Sequence, residues 1–341
     1  MHGAILLARH LVRHTDDVPS TDLGRAARET RIPHHHDPDT FVLAWHQGTD
    51  DKRFGRTAEM PSARLVDLPL QPASLEADQA LEEFVRATLS TQISVTDPAP
   101  PYFRFDAIDD PWFELSLRSA AAARRLLGSR RLAIFVSAGL AALRSGALAV
   151  SAARYREVLP DGALVFLSVA GLHSLESEPE DLAAYVSAAN AFSEQGFELI
   201  ADRVGRFGAA VVAAGARGYC AGTRVYRHTP PSPDWNNERS IKVLTHYEAA
   251  QRGDRIPRQD VVRRLGRGSI PPCPDSECPV SDPVTVPDLR WHSIHLQQIE
   301  VGEAEQKGLA AWAELWAASP RNYVRAWAEA LRLADQLRKA A

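Results

Sequence analysis

A chain of 341 residues, 45% apolar and 24% charged with a formal net charge of −4, has the balance of a globular protein with a large core. The mild charge supplies no overall drive towards nucleic acid or membrane, though a local basic patch is compatible with it. No apolar run is long enough to cross a bilayer, MHGAILLARHLVRH is too short and too interrupted by Arg and His for a signal peptide, and three cysteines cannot make a disulfide framework, so a cytoplasmic protein is expected.

Residues 1–60 are irregular. Residues 4–12 suit a strand or a short helix, and a polar loop containing His34-His35-His36-Asp37 follows. Adjacent histidines point in different directions, so a solvated loop is preferred there to a metal site. Residues 41–45 (FVLAW) and 64–70 (RLVDLPL) read as strands. Ser74 offers an N-cap to a helix carrying Leu75, Leu81, Phe84, Val85 and Leu89 at helical spacing. Residues 102–106 are the next strand, and Asp110-Pro111 then opens a helix that stops at Gly128.

Residues 131–139 and 163–169 are continuous apolar runs, as expected of parallel strands covered on both faces. Between 171 and 196 a helix with Ser177 and Glu180 as a capping box presents Leu182, Tyr185, Val186, Ala189 and Phe192 on one face. Residues 197–201 and 218–222 complete six strand candidates between 63 and 222, mostly separated by helical patterns. Two more in the N-terminal segment make eight. An α/β fold of the (β/α)8-barrel type, irregular at its start and with a C-terminal helical appendage, is the expected architecture. The domain plan is 1–60 as barrel start or lid, 61–230 as barrel core, and 231–341 as a Pro/Arg-rich loop, Cys/His segment and closing helices. Those helices break near Ser319-Pro320; Trp312 and Trp316 stand four apart before the break, and Tyr323 and Trp327 four apart after it. They are expected to pack the tail onto the barrel, and they also offer a homo-oligomer contact.

Strand ends of such a sheet gather ligands. Asp67, Asp106, His173, Asp202, Arg203, Arg224, Arg227 and His228 fall at expected strand ends. Asp202 and Asp106 are the candidate catalytic carboxylates, while Arg203, Arg224, Arg227, His228 and His173 are candidate substrate binders, guanidinium groups being suited to phosphate. The alternative is a salt-bridge network that staples loops, Asp202 with Arg224 for instance. A second group, Cys273-x4-Cys278-x13-His292-x2-His295, has donors able to reach a tetrahedral zinc in a segment poor in apolar residues. Cys220, mid-strand, reads as a core residue.

The text CPDSECPV, then RWHSIHLQQIE, then SPRNYVRAWAEALRLADQL resembles the tRNA-guanine transglycosylase family. That resemblance implies a barrel enzyme with a structural zinc held by three cysteines and a histidine. Carried over, Cys273, Cys278 and one of His292 or His295 become ligands. One aspartate attacks the ribose C1′ and a second handles proton transfer, and Asp202 and Asp106 are the positions for those roles. The family's third cysteine and its aspartate-glycine-glycine and aspartate-cysteine segments are absent. The resulting expectation is a cytoplasmic enzyme acting on a ribose- or phosphate-bearing substrate, with nucleic acid or a nucleotide as partner and no membrane. The other reading is a non-catalytic barrel scaffold that binds nucleic acid or a protein.

Overall fold

In the computed structural model the described residues are 4–7, 34–45, 60–92, 95–220, 246–248, 255–257, 286–340 and single positions between 261 and 278. Five strands form one parallel sheet in the order β3-β4-β5-β6-β7: Arg104–Phe105, Ala133–Gly139, Leu164–Ala170, Glu198–Asp202 and Gly218–Cys220. Among the described strands the order follows the chain without reversal, so this sheet shows no switch point of the doubly wound kind. A separate parallel pair joins β1 (Ala4–Leu7) to β2 (His34–Asp37), and an antiparallel pair joins β8 (His246–Glu248) to β9 (Arg255–Pro257). The chain divides into two compact units, Met1–Leu167 with Glu194–Glu198, and Ser168–Ser193 with Leu199–Ala341.

In the first unit, α1 (Asp78–Ser90) buries Leu81, Phe84 and Val85 of the expected stripe, with Thr88 beside them, while Leu89 is half-buried. Ser74 and Leu75 lie before the helix in a 3-10 turn, Pro72–Leu75, and Ala77 takes the N-cap position in place of Ser74. Helix α2 (Pro111–Leu127) begins as its sequence dictates. Pro111 is pre-set for the first turn, and the Asp110 carboxylate accepts the Trp112 amide at 3.0 Å. It ends at Gly128, whose φ of 62° is open to glycine. Helices α3 (Leu140–Arg144) and α4 (Ala147–Val158) follow β4. Every residue of β4 and β5 is buried, because each is apolar or small along its whole length.

The two faces of β3 and β4 can be told apart. Phe105 packs on Phe113 of α2, centroids 4.8 Å apart, so Phe105 and its partner Ala138 face the helix. Alternation then turns Tyr102, Arg104, Phe135 and Ser137 the other way. On that face Tyr102 stacks on Phe135 (5.5 Å) and Phe135 on Phe166 of β5 (4.6 Å). Strand β2 covers this row: His35 lies 5.3 Å from the Phe166 ring, and the Tyr102 hydroxyl donates to Asp37 Oδ1 at 2.9 Å.

Three local expectations are corrected here. His35, His36 and Asp37 are not a solvated loop but buried on β2, where parallel pairing with β1 and the aromatic row absorb them. Residues 41–45 are not a strand. Pro38 interrupts extension, the Asp37 carboxylate accepts the Asp39 amide at 2.8 Å, and Asp39 takes a left-handed φ of 51°. The apolar run then coils as a 3-10 turn, Thr40–Ala44, with the Thr40 hydroxyl donating to the Tyr102 carbonyl at 2.7 Å and accepting its amide at 2.8 Å. Residues 64–70 likewise hold only a 3-10 turn, Ala63–Leu65, since Pro69 cannot donate to a ladder and Leu65 is exposed.

In the second unit, α5 (Pro179–Glu194) buries Leu182, Tyr185, Val186, Ala189 and Phe192 as expected. Ser177 does not close a capping box; its hydroxyl accepts the His173 amide at 2.9 Å and shapes the turn before the helix. Helix α6 (Gly208–Ala213) lies so close to β7 that a Cβ on Gly208 would stand 2.3 Å from the Tyr219 ring. Helix α7 (Val286–Ala317), with a break at Gly308, and α8 (Asn322–Ala340) carry the expected aromatic cluster. Trp316 contacts Trp312, Trp327 and Phe207, with centroids 5.6, 4.9 and 6.4 Å apart, and the Trp327 indole donates to the Ser174 carbonyl. These tryptophans are buried within their own unit. Among the described residues no helix is long and apolar enough to cross a membrane.

Candidate functional site

Three places gather chemistry-bearing side chains. The first is a pocket at the C-terminal end of β3, lined by Phe41, Ala44, Trp45, Phe103, Arg104, Asp106, Asp110 and Trp112. Alternation puts Arg104 and Asp106 on one face of the strand. The Arg104 guanidinium lies 4.8 Å from the centre of the Trp45 ring, a cation–π distance. Burial pulls its pKa down, and the charges of Asp106 and Asp110 oppose that. Asp110 is saturated as a cap: one carboxylate oxygen accepts Trp112 N and the other accepts Asp106 N at 2.9 Å. Asp106 is exposed, and room is made for its carboxylate by Gly139 on the neighbouring strand. A Cβ at Gly139 would stand 1.7 Å from Asp106 Oδ1. Gly139 has an ordinary φ of −87°, so the space, not the backbone, calls for glycine.

The second place is the end of β6. Asp202 is buried, and its carboxylate lies 3.4 Å from the Arg203 Nε, both side chains being nearly enclosed. Arg203 has a left-handed φ of 58°, and its amide donates to the Cys220 carbonyl at 3.0 Å. Burial pushes the Tyr185 hydroxyl and the Cys220 thiol well up, and the Asp202 charge pushes both further. Nearby, a buried ion pair joins Arg206, just after β6, to Glu300 on α7, with Arg206 Nε also 3.3 Å from Glu300 Oε2.

The third place is the Cys/His segment. Cys273 Sγ, Cys278 Sγ and a His292 ring nitrogen all lie within 4.8 Å of one another, with Cys278 Sγ 3.3 Å from His292 Nδ1. Ligands on a tetrahedral zinc stand about 3.3–3.8 Å apart, so small shifts would bring the three onto one ion. Two thiols and an imidazole are a soft donor set that suits zinc and other thiophilic cations.

The expected site residues thus fall unevenly. Asp106 reaches a pocket in the first unit, and Asp202 is ion-paired to Arg203 in the second. Asp67 is exposed in an irregular stretch and ends no strand. His173 lies after β5, where its Nδ1 accepts the Leu175 amide at 3.3 Å. Arg224, Arg227 and His228 lie outside the described residues, as does the His295 side chain. The sequence reading did not single out Trp45, Arg104, Trp112 or Gly139. Only the i, i+2 relation of Arg104 to Asp106 signalled any of them, because Trp45 arrives through an unexpected turn and Gly139 from another strand. Comparisons of the chain with protein-family models, with curated proteins and with solved structures found no match.

Proposed function

We propose that the chain is a barrel-type enzyme that acts on a ribose-bearing substrate, by base exchange of the tRNA-guanine transglycosylase kind. The observation that carries the reading is the pocket at the C-terminal end of β3, where the Asp106 carboxylate and the Arg104 guanidinium meet the rings of Trp45 and Trp112. A flat base fits between aromatic side chains, a carboxylate accepts its N–H groups, and a guanidinium donates to its carbonyl. In this reading Asp106, the exposed carboxylate, moves the proton. Asp202, ion-paired to Arg203, is the nucleophile. Arg224, Arg227 and His228 would meet phosphate. The parallel β1–β2 pair leads into the sequentially ordered sheet, and β2 side chains meet β3 and β5 side chains on one face, which supports closure as a barrel. Cys273, Cys278 and His292 would hold a structural metal, which ties the loop to α7 and supplies no step of the reaction.

The test is incorporation of labelled guanine into tRNA or duplex DNA by wild type, Asp106→Asn and Asp202→Asn. Exchange by wild type, reduced at least about 100-fold in each variant with unchanged unfolding midpoints, is expected. Wild-type protein that exchanges no base sinks the reading and favours the scaffold alternative. An Asp202→Asn protein that exchanges normally but unfolds early makes that residue a structural ion-pair partner.

A further inference from the structure

We propose that Cys273 and Cys278 form a dithiol switch, closing to a disulfide under peroxide when no metal is bound, so that disulfide and metal exclude one another at the same two atoms. The exclusion rests on the metal reading given above; the disulfide rests on geometry alone. The two sulfurs lie within 4.8 Å of each other and carry no disulfide in the structure. A sulfur–sulfur bond is about 2.0 Å long, so closure needs the two side chains to turn towards each other. Neither cysteine sits in a helix or strand that would resist it, and both are part-exposed while His292 is buried. An oxidant from solution therefore meets the sulfurs before it meets the imidazole.

The chemistry balances with hydrogen peroxide as the oxidant. One thiol ionises and its sulfur attacks the peroxide; a sulfur–oxygen bond forms, the oxygen–oxygen bond breaks, and the leaving hydroxide takes up the thiol's proton as water, giving a sulfenic acid. The second thiol ionises and its sulfur attacks the sulfenic sulfur; the disulfide forms, the sulfur–oxygen bond breaks, and the leaving hydroxide takes up that proton as a second water. Two thiols lose two electrons, and one peroxide becomes two waters. A metal held by both thiolates ties up the lone pairs that the first step needs. Cys220, also part-exposed, is an internal control: desolvation of its thiol and the Asp202 charge disfavour its thiolate, which slows the same attack.

The experiment uses the full wild-type chain, so no variant has to fold. One sample is stripped with a chelator, another is loaded with zinc, and both receive hydrogen peroxide before non-reducing peptide mass analysis. Cleavage after Arg267 and Arg290 puts Cys273 and Cys278 in one peptide, 268–290, without Cys220. The metal-free sample should lose two hydrogens in that peptide while Cys220 remains open to alkylation. Zinc should slow the loss at least roughly tenfold. The oxidised chain should take up zinc only after reduction. Sulfinic acid in place of the disulfide, a disulfide through Cys220, or an oxidised chain that still takes up zinc fully overturns the proposal. A chain that takes up zinc in no state sinks the metal reading, and the peptide mass then decides the disulfide by itself.

Discussion

Gly139 and His36 are two residues whose surroundings, not their type, set their importance. Replacing Gly139 with Ala puts a methyl group where the Asp106 carboxylate lies. Either that carboxylate turns away or the β3–β4 edge shifts. Gly139→Ala should lose about 1–3 kcal/mol in urea denaturation and weaken any ligand of the β3 pocket. Unchanged stability together with unchanged binding would show that Asp106 moves freely. His36 is fully buried, neither ring nitrogen has a hydrogen-bond partner, and burial pushes its pKa from 6.5 down to about 4. The folded value lies below the unfolded one, so the unfolded chain binds more protons between those limits. Stability from this group is therefore whole above pH 6.5 and is lost as pH falls towards 4. The loss is on the order of 3 kcal/mol and should vanish in His36→Leu when unfolding is followed across that range. An equal slope in the variant would assign the pH dependence elsewhere.

At the scale of elements, α7 owes its seat to two different forces. Trp312 and Trp316 bury apolar area against Phe207 and α8, which stabilises without direction. The Arg206–Glu300 pair fixes how α7 lies against the turn after β6, because both charges are nearly out of water and must face each other. Glu300→Ala should cost about 3–5 kcal/mol, since it strands a buried guanidinium. The double variant Arg206→Met with Glu300→Leu should recover most of that loss. If urea denaturation gives the double variant the sum of the two single losses, the pair is not an isolated unit. Element positions were largely readable beforehand. The runs that became β4 and β5 are apolar on every residue, and Asp110-Pro111 with Gly128 bracketed α2. The runs at 41–45 and 64–70 misled, because apolar content alone cannot tell a strand from a buried turn. Pro38, the Asp37 carboxylate and Pro69 decided those cases locally.

At the scale of the molecule, a metal shared by Cys273, Cys278 and His292 would join two positions between β9 and α7 to α7 itself. If Cys273, Cys278 and His292 hold zinc, purified protein should carry about one zinc per chain, and a chelator should lower the melting temperature reversibly. Metal-free protein with an unchanged melting curve would leave the three residues as a thiol–imidazole cluster. The effect should centre on the second unit, because His292 stands on α7, which packs with α6 and α8 there.

By itself the sequence determined the alternation of strands and helices from residue 102 to 220, the helical tail with its aromatic residues, and the candidate set Cys273, Cys278, His292 and His295, from which the structure brings His292 to the two sulfurs. Each of these follows from periodicity or from short spacing, which a chain carries locally. Tertiary structure alone decided that His35, His36 and Asp37 lie in the interior, that Gly139 makes room for Asp106, and that Arg206 meets Glu300 across 94 residues. Those relations join side chains from separate elements. Strand register and helix packing bring them together, and neither is written in the residues that meet.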